Sequence, residues 1–346
     1  MRDEAQKLAY CRLPFEEAYI YSGGEVTFGC CQDRLEALGN VLEQSLEEIW
    51  CSHRAEEVRQ ATATPELHHL CRYCRFVDHI AKGILKPWYE PHSPRWPYRV
   101  WICLPDTHCN IGGENPTPET ACIMCPRASV GFIPREAHTD RIVANIRSIV
   151  PHLSAIDISG LSEAFWKDRI FDILEQLGFS EHADRIMAGT ISNGITLSKR
   201  TRERWFRTCP KSRIIVSIDA ATPLTYRKIR RLDAYNLVIS NIRDYVKERN
   251  KYTNLIHINN NISLINVTEV EEMIEVASDL GVDGIMLNLT APAGVVGPYT
   301  IGDDTALLFA AAHNKAVKRA EELGVALHFV QPLYDLHPEL AQFLAA

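Results

Sequence analysis

No stretch of this 346-residue sequence reaches the roughly 18 apolar residues that a membrane span requires. A long run of lysine and arginine is missing too, and the formal charge, 37 − 44 = −7, is acidic; both argue against nucleic acid or an anionic membrane as partner. The opening residues, MRDEAQKLAY, contain no apolar signal core, so the expectation is a reducing cytoplasm. Cysteine, by contrast, is plentiful, with 11 residues. In a reducing compartment that number argues for metal rather than disulfides, and an odd count fits ligands plus spare thiols. An apolar fraction of 46% and a charged fraction of 23% are those of an ordinary globular protein, here one large domain plus a small one.

The densest chemistry lies between Arg99 and Arg127. An apolar strand, Val100 to Leu104, breaks at Pro105 and leads into a loop rich in Gly, Pro, Thr and Asn that carries Cys109, Cys122 and Cys125. Three thiolates hold iron or zinc, and three rather than four leave one coordination position open for a group that reacts. A zinc knuckle is the plainer alternative.

Upstream, residues 1–84 read as a small cysteine-bearing module. Two short strands flank the Gly23-Gly24 turn, and Leu42, Leu46, Ile49 and Trp50 recur at helical spacing, with Ser45 and Glu48 as a capping box. Cys11, Cys30, Cys71 and Cys74 form a four-thiolate set, with Cys31 competing for the second place and zinc competing with iron. Residues 85–98, LKPWYEPHSPRWPY, carry four prolines and read as a semi-rigid linker. From Arg99 onward apolar strands, expected at 99–104, 153–159, 186–191, 213–218, 255–262, 283–288 and 325–330, alternate with helices, which is the pattern of a parallel α/β fold. Helices are expected at 139–150, 164–177, 199–207, 223–231, 234–250, 268–280 and 304–323.

The wording around the three cysteines, CN followed by ACIMCPR, resembles the radical S-adenosylmethionine (radical SAM) signature C-x3-C-x2-C. Twelve residues rather than three separate Cys109 from Cys122, so nine are read as an insertion and residues 111–121 as an exposed loop. The resemblance implies that Cys109, Cys122 and Cys125 hold a [4Fe-4S] cluster whose fourth iron chelates SAM. It also implies an external one-electron donor such as flavodoxin or ferredoxin. Residues 11–74 resemble the SPASM/Twitch modules of that family, which implies a second, auxiliary [4Fe-4S] cluster on Cys11, Cys30, Cys71 and Cys74. Here the module precedes the SAM domain, whereas in the family it normally follows. The implied fold is a partial TIM-like (β/α)6 barrel over 99–346, preceded by a small α+β domain.

Further landmarks occur in order. Ser159, Gly160, Ser162 and Glu163 stand where the family binds the SAM amino group, with Ser162 in place of a glycine and Ala164 in place of a proline. Ser192-Asn193-Gly194 stands for the family's TNG turn. Ser217 and Asp219 match its S-x-D strand end, and Arg230 its arginine; by resemblance Ser217 and Arg230 bind the SAM carboxylate, as a guanidinium fork suits. Met124 stands at an adenine-packing position.

Three sets of candidates rest on the residues alone. His257, Asn259 and Asn261 share one side of an alternating strand, an amide-rich wall suited to a hydroxylated substrate or merely a polar sheet face. Asp106, Thr107, Asp157 and Asn288 lie at or near strand ends. Cys51, Cys103 and Cys209 are spare thiols able to return a hydrogen atom to a carbon radical, or small core residues. The expectation is an oxidoreductase or epimerase acting on a sugar or polyol natural-product intermediate. The alternatives are modification of a ribosomal peptide, a zinc-binding interaction protein and an iron–sulfur electron carrier.

Overall fold

The computed structural model describes residues 8–29, 36–64, 83, 86–90, 94–103, 109–113, 116–125, 127, 138–160, 162–289, 299–301 and 305–329. None of the described helices is long and apolar enough to cross a membrane. The chain divides into two compact units, one of Met1–Asp106, Pro134–Gly160 and Ile170–Ala188, the other of Thr107–Ile133, Leu161–Arg169 and Gly189–Ala346.

In the first unit, β1 (Glu17–Ile20) and β2 (Glu25–Phe28) form the hairpin expected around Gly23-Gly24, and β3 (Gly39–Asn40) extends it antiparallel. The same β1 pairs in parallel with β4 (Arg99–Cys103), which pairs in parallel with β5 (Ala155–Ser159). The hairpin is therefore continuous with the strand that leads into the cysteine loop. Arg99 cross-links the three strands, its guanidinium reaching Glu17 at 3.3 Å and Asp157 at 3.4 Å, while Trp101 Nε1 donates to Glu17 at 3.2 Å.

Two helices of this unit start at side-chain caps. After α1 (Leu13–Glu16), α2 (Leu46–Trp50) begins at the Ser45–Glu48 capping box, both reciprocal bonds being present. It is shorter than the apolar spacing from Leu42 suggests, because the Ser45 cap starts it only at Leu46; beyond it Ser52 caps a new helix, α3 (His53–Ala61), by accepting from Ala55 N. In α4 (Thr139–Ile146) the last turns tighten into a 3-10 helix, Arg147–His152, which holds Pro151. The last helix is α5 (Arg169–Gln176). Of the proline-rich segment, Trp96 stacks on His152 at 4.3 Å and Pro94 O accepts from Trp50 Nε1, so it lies against this unit.

Through β6 (Met187–Ser192) the chain passes into the second unit. There β7 (Ser212–Ser217), β8 (Asn254–Ile262), β9 (Gly284–Leu289) and β10 (Leu327–Phe329) are parallel and adjacent in sequence order. They alternate with α6 (Lys199–Thr208), α7 (Pro223–Arg230), α8 (Tyr235–Glu248), α9 (Val270–Leu280) and α10 (Ala306–Leu323). Such βα units put the loops that follow the strands at one end of the sheet. β8 alternates strictly: Ile256, Ile258 and Asn260 are fully buried, and His257, Asn259 and Asn261 are half-buried on the other face.

Candidate metal centre

The site is built in the second unit from the cysteine loop, the ends of β6 and β7, and α7. Cys109 forms a one-residue bridge with Gly113, and its sulfur accepts from Ile111 N at 3.4 Å and Asn193 Nδ2 at 3.6 Å. Cys122 is buried, and its sulfur accepts from Arg230 Nη1 at 3.7 Å. Cys125 follows in a tight turn, its N–H on Cys122 O at 2.9 Å. The loop is anchored by Ile123 N donating to Ile229 O at 2.9 Å, at the end of α7. Met124 packs with Ile123, Ile229 and Ile265 in a small apolar cluster.

The expected exposed insertion is only partly so. Thr117, Glu119 and Thr120 are exposed, but Ile111 and Ala121 at its ends are buried. Gly112 sits at φ +81°, where a Cβ would meet Pro116 at 3.0 Å and the Ala121 backbone at 3.2 Å, and Arg127 Nη2 donates to Gly113 O at 2.7 Å. Two apolar residues and a glycine turn fold the ends of the insertion into the site, a packing that its turn-rich composition conceals.

Glu163 is fully buried and holds the turn after β6. Its Oε1 accepts from Ser192 Oγ and Thr196 Oγ1, each at 2.7 Å, and its Oε2 accepts from Asn193 N at 2.7 Å. Burial pushes its carboxyl up, and these donors pull it back. Gly194 completes the turn at φ +77°, where a Cβ would lie 2.8 Å from Val216 and 2.9 Å from Val238. So fixed, Asn193 donates both to the Cys109 sulfur and to Asn110 Oδ1 at 2.7 Å. Ser162 lies beside Glu163 in this unit, whereas Ser159, in register with Cys103, and Gly160 belong to the first unit.

Asp219, two residues beyond β7, has φ +61° and no exposed surface. It forms an ion pair with Arg230 and accepts from Asn261 N at 2.7 Å and Asn261 Nδ2 at 3.3 Å. The Arg230 Nε is buried without a hydrogen-bond partner among the described residues, a donor left over for an anion. Ser217, nearly buried, ends β7 in register with Asn259. Sequence reasoning passed over Tyr226, a fully buried ring on α7 whose hydroxyl is pushed up to about 12 by burial and by the nearby Cys122 and Asp219. No periodicity marks such a residue; its only signal is its place within the arginine motif.

On the half-buried face of β8, Asn288 Nδ2 donates to Asn259 at 2.5 Å and Asn261 is committed to Asp219, so the amide wall exists but is already partly bonded to itself. His257 lies lower, opposite Gly284, 5.9 Å from the His328 ring, and burial lowers it to about 4. Asp157 is taken by Arg99 in the first unit. Cys209 is buried at the start of β7, where Asn254 Nδ2 donates to its carbonyl, at the opposite strand end from Ser217. Cys51 is exposed and Cys103 half-buried, both in the first unit, as is Cys11. Cys30, Cys31, Cys71, Cys74, Asp106 and Thr107 lie outside the described residues.

Among the described residues no three His, Cys, Asp or Glu side chains close round a single metal ion. The donor chemistry suits a larger anionic sulfur-bridged group. Cys109, Cys122 and Cys125 lie near enough for charge on one to raise the next, and burial, with the Glu163 and Cys122 charges behind it, pushes Cys109 up to about 11. The metal ions within such a group would reverse that cost, while Asn193 and Arg230 supply N–H donors to sulfur.

Residues 11–75 match the model of the SPASM iron–sulfur cluster-binding domain. No curated protein matches the sequence. Among solved structures, the chain is similar to SuiB of Streptococcus suis bound to S-adenosylmethionine, with a TM-score of 0.53 at 13% identity over 98% of this chain and 75% of that one. SuiB bound to its precursor peptide SuiA gives a TM-score of 0.52 at 14% identity over the same shares. At such identity the likeness is one of fold. The chain therefore carries, over residues 11–75, a segment that matches the SPASM iron–sulfur cluster-binding domain, and it shares the fold of these SuiB structures.

Proposed function

We propose that the chain is a radical SAM enzyme that modifies a ribosomally made peptide. The observation that carries it is the convergence of Cys109, Cys122 and Cys125 with three N–H donors on their sulfurs and one spare guanidinium donor beside them. These thiolates would hold a [4Fe-4S] cluster which, with SAM bound, would supply one-electron cleavage of SAM and so abstraction of hydrogen from a substrate carbon. Around it, Arg230 and Ser217 would hold the SAM carboxylate, Met124 would pack near adenine, and Glu163 would keep Asn193 aimed at Cys109. Cys11, Cys30, Cys71 and Cys74 would hold the auxiliary cluster, and the electron would come from a carrier such as flavodoxin or ferredoxin. The peptide reading leans on the fold shared with SuiB, solved with a precursor peptide.

Dehydrogenation or epimerisation of a sugar or polyol is the second reading, favoured by the amides of Asn259, Asn261 and Asn288. The bonds these amides already make weaken it.

Reduced protein incubated with SAM should release 5′-deoxyadenosine; zinc without sulfide in the purified protein would sink the proposal. In D2O with a supplied peptide library, a new crosslink or one incorporated deuterium identifies peptide chemistry. Turnover of polyols alone would favour the second reading.

A further inference from the structure

Asp219 is held more firmly than binding a ligand requires. Its carboxylate takes two donors from Asn261, its carbonyl accepts from Asn266 Nδ2 at 2.8 Å, and its backbone sits in the left-handed region. Held in this way, it pairs with Arg230, whose other terminal nitrogen donates to the Cys122 sulfur. Asp219 and Arg230 are both buried, so water screens the pair little. A guanidinium can serve two acceptors at once because its donors form a rigid fork.

We propose that Asp219 and Arg230 form a charge-balanced pair that sets the reduction potential of the cluster Cys122 would help to hold, with Asp219 the positioning residue that keeps the guanidinium against the sulfur. This rests on the reading that Cys109, Cys122 and Cys125 bind such a cluster. Reduction adds negative charge to the cluster, so net positive charge beside its thiolate favours the reduced state and net negative charge disfavours it. Asp219 therefore restrains what Arg230 alone would do.

The sign of the shift provides the test. D219N keeps a residue tolerant of positive φ and leaves the pair one charge more positive; R230Q leaves it one charge more negative. Redox titration should follow the electron-spin signal of the reduced cluster that disappears when Cys109, Cys122 and Cys125 are replaced by alanine. D219N should raise the reduced-to-oxidised ratio at fixed poise at least tenfold, about 59 mV for one electron, and R230Q should lower it by as much. The double variant should return to within about threefold of the wild type. Shifts of the same sign, or none, would overturn the proposal, since a purely structural role has no reason to follow charge. If either variant does not hold its iron, the wild-type protein labelled with 15N-arginine decides. Pulsed spin resonance of its reduced cluster without SAM should show one coupled nitrogen, and its absence overturns the contact. A wild-type protein with no iron–sulfur cluster would instead remove the functional reading itself.

Discussion

Single side chains in this site do more holding than reacting, and Glu163 is the clearest case. Replacing it with alanine takes the acceptor from two hydroxyls and one backbone N–H held at 2.7 Å, and from the more distant Phe165 N–H at 3.4 Å. A loss of about 3 kcal/mol in denaturant unfolding is expected, roughly 1 kcal/mol for each close donor that loses its acceptor. A loss below ~1 kcal/mol would show that water replaces the carboxylate. His257 makes a pH prediction. Its folded value, about 4, lies below its ordinary 6.5, so the unfolded chain binds the extra proton between those values. Stability should be undiminished above pH 6.5, fall as pH drops towards 4, and gain no further loss from this group below that. H257Q should flatten the urea midpoint across that window; an unchanged slope would place the effect elsewhere. The residue types at the site could be read from their order along the chain, but their partners could not. Arg230 meets Cys122 from 108 residues away, and Glu163 meets Thr196 from 33. Nothing local in the sequence encodes such pairings.

At the scale of elements, the parallel strands were legible because most are short apolar runs between turn residues and β8 alternates, and their ends fall within a residue or two of expectation. Helix starts were less so: the apolar spacing begins at Leu42, but the helix begins at Leu46, after the Ser45 cap. The cysteine loop reads from the sequence as an exposed insertion, and the burial of Ile111 and Ala121 corrects that at its two ends. Deleting its exposed part, 117–120, should leave the cluster in place. Cutting back to three residues between Cys109 and Cys122 removes, wherever the nine-residue cut is placed, the Gly113 carbonyl that Arg127 binds. That shorter variant should lose about four irons per chain, the number in one such cluster. Equal iron in both variants would return the loop to the status of an appendage.

For the molecule as a whole, two cysteine sets predict two clusters. Purified anaerobically, the chain should carry about eight irons, and alanine at Cys109, Cys122 and Cys125 should leave about four and no SAM cleavage. Retention of all the iron would show that the SAM site has been misplaced. The parallel pairing of β1 with β4 has a consequence for how the protein behaves in solution. Removing residues 1–84 strips one edge of β4, from Arg99 to Cys103, and leaves a row of open backbone donors and acceptors next to Val100 and Ile102. Such an edge pairs readily with a second copy. Light scattering on the truncated chain should therefore find aggregates or dimers where the intact chain remains monodisperse. By this argument the small N-terminal hairpin protects the chain from its own copies, whatever metal the module around it holds.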